Sequence, residues 1–197
     1  RIASRMQEGA KALVIGGGYI GLEAAAVFAT RGLKVHVIEM ADRILKRVAS
    51  AETAGFVRAI HEAHGVDVLE NTAIERLEGN GGAVSRAVLG DGSSIDADLV
   101  VVGIGVTPND ILAREAGLVC GNGIEVDEFT RTSHPDIHAA GDVACFEFHG
   151  GRTRLESVQN AIDQAEHAAK VIAGSSESYV PVPWFWSDQY DMKLQIA

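Results

Sequence analysis

The sequence predicts an α/β protein: a Rossmann-like dinucleotide-binding domain carrying an antiparallel β-meander as an insertion, followed by part of a second α/β domain. Three observations carry that prediction. A glycine-rich turn, Gly16-Gly17-Gly18-Tyr19-Ile20-Gly21, joins an apolar strand at Lys11–Ile15 to an alanine-rich helix at Tyr19–Thr30. A second apolar strand, Lys34–Ile38, ends at an acidic residue, Glu39, eighteen positions after Gly21. From residue 72 to residue 97 the apolar period then changes to two, with Gly/Asn and Asp-Gly clusters between the short runs, as hairpins require.

The glycine turn has the form of a phosphate cradle. In such a unit Gly16 permits the sharp turn, Gly18 admits a pyrophosphate to the backbone, and Gly21 lets helix and strand approach closely. The unpaired N–H groups and positive end of the helix then favour a diphosphate. Glu39 stands where a carboxylate accepts hydrogen bonds from an adenosine ribose. A 2′-phosphate about 4 Å from it would be opposed by roughly 4 kcal/mol per charge pair at an effective dielectric of about 20, which favours NADH over NADPH. Arg43, Lys46 and Arg47 follow closely, however, and could neutralise such a phosphate.

Taken in order, residues 1–10 read as the end of a helix, since Ile2 and Met6 and the charged Arg1, Arg5 and Glu8 have helical spacing but no start signal. Ser50 caps a predicted helix that runs to His64 and is stopped by Gly65. His61 and His64, three apart on it, form no larger ligand set, which favours surface positions over a metal site. Val66–Leu69 reads as a third parallel strand, and residues 73–77, 83–89 and 94–95 as the meander. Residues 99–103 are continuously apolar, as a strand buried on both faces should be, and open a second glycine segment, Gly103, Ile104 and Gly105. A short helix is expected at 110–116. A short strand within 130–142 is expected to deliver Asp142, beside Gly141, at its carboxyl end, where it could accept hydrogen bonds from ligand hydroxyls. Residues 157–172 predict a helix closed by Gly174, and 175–183 a linker.

The chain has 197 residues, 47% of them hydrophobic, enough for a core and for one or two domains. Its apolar runs are far short of the roughly 20 residues of a membrane span, and no signal segment begins it, which predicts a cytoplasmic protein. Seventeen basic against twenty-seven acidic residues, net charge −10, argue against bulk nucleic-acid or anionic-membrane binding. Cys120 and Cys145 form no C-x-x-C pair and read as reduced, partly buried thiols. Five of the eleven aromatics, Tyr179, Trp184, Phe185, Trp186 and Tyr190, fall in the last nineteen residues, a density that suggests a stacking surface or interface.

Over essentially its whole length the chain resembles the NADH-dependent, FAD-containing ferredoxin reductases of oxygenase systems. The resembling pieces are Gly16 to Glu23, Gly103 to Asn109, Ala139-Ala140-Gly141-Asp142, Glu156-Ser157-Val158-Gln159-Asn160-Ala161, and the aromatic segment from Pro183 to Ile196. The last is the most specific to that family. The resemblance implies a two-dinucleotide-binding-domain flavoprotein of glutathione-reductase type: an NAD(H) domain at 1–103, the returning portion of an FAD domain at 104–175, and the start of a C-terminal interface domain at 176–197. It implies that Asp142 binds the FAD ribityl chain and that Val158 and its neighbours offer N–H groups to the flavin pyrimidine edge. Trp184 or Trp186 would lie near the flavin and the docking surface, and Glu23 and Glu156 near the nicotinamide. It implies no acid or base side chain, since hydride passes from nicotinamide to flavin and single electrons pass to a [2Fe–2S] ferredoxin. Arg43, Lys46, Arg47, Arg152 and Arg154 are a candidate patch for an acidic ferredoxin. The family's FAD-binding glycine unit does not precede residue 11, which predicts an internal piece of a longer reductase. Alternatives within reach of the same motifs are a pyridine-nucleotide disulfide reductase or NADH oxidase, and an NADH-sensing module similar to apoptosis-inducing factor.

Overall fold

A computed structural model describes residues 2–197; Arg1, counted above with the first predicted helix, lies outside the described residues. The chain divides into two compact units. The first comprises the residues up to Gly105 together with Trp186–Ile196, and the second is Val106–Phe185 with Ala197.

The first unit alternates strand and helix: β1 (Lys11–Ile15), α1 (Tyr19–Thr30), β2 (Lys34–Ile38), α2 (Ala51–Ala63) and β3 (Val66–Leu69). An antiparallel meander follows, β4 (Ile74–Asn80), β5 (Ala83–Leu89) and β6 (Ser94–Asp96), and β7 (Leu99–Val102) returns the chain to the main sheet. That sheet is parallel with order β3-β2-β1-β7. Successive side chains along a strand face opposite ways. Ala12 and Val14 therefore pack with Leu22, Ala25 and Phe28 of α1 and Val57 of α2, while Leu13 and Ile15 pack with Ala87, Leu89 and Ala97 of the meander segment. The meander thus covers the face of the sheet that the helices leave bare. It is this double cover that makes β1 read as an unbroken apolar run.

Two expectations change in this unit. Residues 2–10 hold only a 3₁₀ turn at Ala3–Arg5, because Met6 and Ala10 are drawn onto the core instead of continuing a helix. Residues 99–103 are covered on both faces only in part: Leu99 and Val101 pack on the helix side and Val100 on the meander side, but among the described residues β7 pairs with β1 alone, and Val102 is 57% exposed at the sheet edge.

A third correction concerns His61, which is fully buried. It lies on the inward stripe of α2 with Ala54 and Val57, at i, i+3 and i+7. A hairpin, β12 (Phe185–Gln189) and β13 (Met192–Ile196), supplies its partners. Gln189 Oε1 is 2.8 Å from His61 Nε2 and Tyr190 Oη is 3.2 Å from Nδ1. Met192 and Leu194 pack on the helix-side core, and the Tyr190 ring stacks on His64 at 3.7 Å between centroids.

The second unit holds α3 (Ile111–Glu115), β8 (Cys120–Gly121), β9 (Gly123–Glu125), β10 (Ala144–Phe148), β11 (Gly151–Thr153) and α4 (Val158–Ile172). Its sheet has order β11-β10-β9-β8, with β9 and β10 parallel. Val126, Ala144 and Phe146 form its core, with Ala139, Leu155 and Tyr179 packed against them. Cys120 and Cys145 are free thiols. The strand expected within 130–142 is replaced by turns: Asp127 Oδ1 accepts from the N–H of Phe129 and of Arg131, Thr130 has φ +61°, and one bridge joins Arg131 to His138. Asp142 consequently precedes a strand, β10, instead of ending one. The predicted linker is pinned at Tyr179, whose N–H donates to Glu128 O at 2.7 Å and whose hydroxyl donates to Asn160 Oδ1 at 2.9 Å. Burial pushes that phenol up to about 12. Among the described residues no helix is long and apolar enough to cross a membrane.

Burial holds the His61 imidazole below its ordinary pKa of about 6.5. The native state then binds fewer protons here than the unfolded chain, so this contribution to stability is present above about pH 6.5 and is lost as pH falls below it. Denaturant unfolding between pH 7 and 5 is expected to show a steeper loss of stability in the wild type than in His61→Gln; equal slopes would place the pH dependence elsewhere.

Candidate functional site

The carboxyl ends of β1 and β7 meet at the point where the strand order reverses, the place where ligands bind in open parallel sheets. Three glycines make that junction. Gly16 has φ +106°, and a Cβ on it would lie 2.4 Å from Gly103 O. A Cβ on Gly21 would lie 2.1 Å from Gly16 O and 3.2 Å from Val14 Cγ1. Gly103 N donates to Ile15 O at 2.7 Å. No side chain fits between these backbones, so α1 sits directly on the end of β1.

The start of α1 differs from the starts of α2 and α4. Ser50 accepts from Thr53 N and Ser157 from Asn160 N, whereas α1 has Gly18 at its N-cap, with no capping side chain and no acid in its first turn. A Cβ on Gly18 would meet nothing within 4 Å. The first turn of α1 carries N–H groups with no intrahelical partner, and the space beside Gly18 is open. Tyr19 packs against the core and Ile20 is 53% exposed. Beyond β7, Ile104 is exposed and Gly105 adopts φ +120°.

Glu39 ends β2 beside this turn. Its Oε2 accepts from Gly17 N at 2.8 Å and its Oε1 from Ala41 N at 2.7 Å. A carboxylate has about four acceptor positions, so it can tie down the turn and still receive ribose hydroxyls. The segment after it is fixed from both sides: Leu45 N donates to Gly17 O at 2.9 Å, Ile44 N donates to Glu70 Oε1 at 3.0 Å, and the Ile44 side chain fills the space against Gly17. Arg43 donates to Ala49 O and Lys46 pairs with Asp42. Arg47 is exposed and makes no hydrogen bond or ion pair among the described residues. Glu23 is on the second turn of α1, where its Oε1 accepts from Ser187 Oγ at 2.7 Å.

In the second unit Gly141, with φ +80°, packs on Ala161 of α4 and donates its N–H to Gln164 Oε1 at 2.8 Å. Gln164 is fully buried, yet its Nε2 has no hydrogen-bond partner among the described residues. Asp142 is exposed, and its carboxylate is unengaged among the described residues. Arg154 donates from Nη1 to Asp142 O at 2.6 Å and pairs with Glu156 at the same distance. With its side chain only 9% exposed, Arg154 cannot belong to a docking patch, and Arg152 is engaged with Glu125 and two carbonyls. Of the five cations expected from sequence Arg154 is therefore withdrawn, while Lys46 and Arg152 keep about half of their side-chain surface exposed, at 52% and 48%. Val158, the first residue of α4, is 60% exposed, and Ser157 takes the Asn160 N–H, leaving those of Val158 and Gln159 without a side-chain cap. Trp184 is half-buried.

Sequence reasoning missed Gln164 and the buried partners of His61, and it placed Arg154 on the surface where the structure buries it. The signal for Gln164 was present: Asn160, Gln164, Ala168 and Val171 form the buried stripe of α4, and a polar side chain on such a stripe has a polar task. These donor sets suit the two groups expected. The open, uncapped glycine turn with an acceptor-only carboxylate beside it fits a dinucleotide. The orphaned Gln164 amide, the free Asp142 carboxylate and the uncapped N–H groups of α4 fit a second ligand rich in hydroxyl and carbonyl groups.

The α/β fold, with its glycine turn at the switch point of a parallel sheet, is that of the two-dinucleotide-binding-domain class. Residues 1–165 match the family described as pyridine nucleotide-disulphide oxidoreductase, and the chain belongs to that family. It is 48% identical over 186 residues to the 5,5′-dehydrodivanillate O-demethylase ferredoxin reductase subunit of Sphingobium sp. (92% of this chain, 45% of that protein). It is 44% identical over 198 residues to rhodocoxin reductase of Rhodococcus erythropolis (100% and 46%). A crystal structure of the ferredoxin reductase for the CYP199A2 system of Rhodopseudomonas palustris superposes with a TM-score of 0.94 at 42% identity (98% and 48%). The chain thus spans about half the length of the relatives it matches.

Gly21→Ala is expected to destabilise the protein by about 1–3 kcal/mol, as overpacking does, because its methyl would collide with Gly16 O. Gly18→Ala, where space is open, should stay within about 0.5 kcal/mol of wild type. Denaturant unfolding of both variants measures the difference; equal stabilities would contradict the close approach.

Proposed function

We propose that this chain is the nucleotide-handling core of an NADH-dependent, FAD-containing reductase that delivers electrons to a [2Fe–2S] ferredoxin serving an oxygenase. The observation that carries the reading is the Gly16–Gly21–Gly103 junction with Glu39 clamped beside it. The names and lengths of the relatives support the remainder: they are ferredoxin and rhodocoxin reductases, and this chain matches about half of each. In this reading residues 1–103 are the NAD(H) domain, 104–175 part of an FAD domain, and 176–197 the start of a C-terminal domain. The protein acts in the cytoplasm.

Each residue then has a physical task. Gly16, Gly17, Gly18 and Gly21, with Tyr19 and Ile20 opening the helix, receive the NADH pyrophosphate on the uncapped end of α1. Glu39 accepts from the adenosine ribose, with Arg47 the free cation nearby in sequence. Gly103, Ile104 and Gly105 form the far lip of that crevice, and Glu23 serves the nicotinamide. Gly141, Asp142, Ser157, Val158 and Ala161 receive FAD, Asp142 at its ribityl hydroxyls and α4 at its pyrimidine edge, with Trp184 against the ring system. The bound groups supply the redox chemistry, hydride transfer from nicotinamide to flavin and single-electron release. The protein binds and orients them and needs no acid or base of its own.

Charge at Glu39 makes the cofactor choice testable. Glu39→Gln in the full-length gene product is expected to lower the preference for NADH over NADPH, as a ratio of kcat/KM, by about tenfold or more, since roughly 4 kcal/mol of opposition is removed. An unchanged ratio would remove Glu39 from cofactor selection.

A further inference from the structure

Five side chains of the first unit join end to end. Tyr190 Oη is 3.2 Å from His61 Nδ1, and His61 Nε2 is 2.8 Å from Gln189 Oε1. Gln189 Nε2 is 2.9 Å from Ser187 Oγ, which is 2.7 Å from Glu23 Oε1. The series crosses three elements, α2, β12 and α1, and its middle members His61, Gln189 and Ser187 are all fully buried. None of these three touches a ligand in the reading given above.

The chemistry of the last member fixes the direction of all the others. A carboxylate only accepts, so Ser187 must donate its one proton to Glu23. Its oxygen must then receive the Gln189 amide N–H, which turns the Gln189 carbonyl towards His61. That carbonyl requires the proton on His61 Nε2, which leaves Nδ1 bare to accept from the Tyr190 hydroxyl. Reversing any one link would set two acceptors or two donors face to face in a space closed to water, a costly arrangement. Glu23 Oε2 takes no hydrogen bond among the described residues. One carboxylate oxygen is thus held while the other is left available, on the helix that opens at the glycine turn.

We propose that this one-way hydrogen-bond chain is a positioning device: Ser187, Gln189, His61 and Tyr190 hold the Glu23 carboxylate in one orientation so that its free oxygen accepts an N–H of the nicotinamide half of a dinucleotide. The inference rests on the NADH reading of the glycine turn. It goes further in giving Ser187, Gln189, His61 and Tyr190 the task of orienting that carboxylate. A free carboxylate oxygen suits an amide donor, which the nicotinamide carboxamide supplies, and repels phosphate. The adenosine diphosphate half should therefore bind without the chain's help.

The test compares NADH with ADP-ribose, which lacks the nicotinamide, by calorimetric titration of the full-length gene product. Ser187→Ala is expected to weaken NADH about tenfold, the size of one lost hydrogen bond to a charged group, and to leave ADP-ribose unchanged. Ser187→Thr, which keeps the hydroxyl, restores NADH binding. Tyr190→Phe, a milder change at the far end, weakens NADH by less and again spares ADP-ribose, so the test survives if Ser187→Ala fails to fold. Nitrogen-15 NMR of the wild-type imidazole should show His61 protonated at Nε2 and bare at Nδ1. Equal binding of NADH by wild type and the alanine variant, equal loss for both ligands, or an Nδ1-protonated His61 would each overturn the proposal while leaving the dinucleotide site intact. A wild-type protein that binds neither ligand would instead overturn the reading beneath it, and the proposal with it.

Discussion

The structure depends on a contact that only glycine allows. Gly16 and Gly21 bring the end of β1 and the start of α1 backbone to backbone with each other and with Gly103 at the end of β7, with less than a methyl group's clearance at Gly16 and at Gly21. The junction determines where α1 begins and leaves its first turn open beside Gly18. Glu39 ties the same turn from the neighbouring strand through Gly17 N. A side chain at Gly16 or Gly21 would push the helix off the sheet and close the ground on which a diphosphate can sit.

Around that junction the sheet is covered differently on its two faces. Helices α1 and α2 pack on Ala12 and Val14, and the meander packs on Leu13 and Ile15. The hairpin of β12 and β13 adds Met192 and Leu194 to the helix side and is anchored by a polar group in an apolar core, His61. Hydrophobic burial accounts for the hairpin being there. The hydrogen bonds through Gln189 and Ser187 add direction, because they can be satisfied in only one arrangement. In the second unit Gln164 and Arg154 perform comparable service, fixing the backbone of Gly141 and of Asp142 from within.

Most of the first unit was legible because local signals and tertiary demands agree there. Glycine spacing, the apolar runs of β1 and β2, Ser50 as a cap and the two-residue period of the meander all point one way. The misreadings arise where tertiary context decides. Val102 is apolar yet exposed, since the run says nothing about which strand ends the sheet. His61 looks like a surface residue until the hairpin, more than a hundred residues later, provides its partners. The segment 130–142 reads as a strand but forms turns, because Asp127 satisfies backbone N–H groups there from its side chain, a pattern with no period. Among site residues, the glycines and Glu39 were visible from spacing. The engagement of Arg154 and Glu156 with each other depends on a fold the spacing does not encode.

The central claim is that the glycine turn of the first unit is the NADH site. Titrating NADH into ¹⁵N-labelled protein and following backbone amides tests it most directly. The account predicts that the largest shifts fall on Gly16 to Gly21 and on the amides bonded to Glu39, Gly17 and Ala41. Shifts centred instead on Gly141, Asp142 and the start of α4, with the glycine turn unmoved, would contradict it.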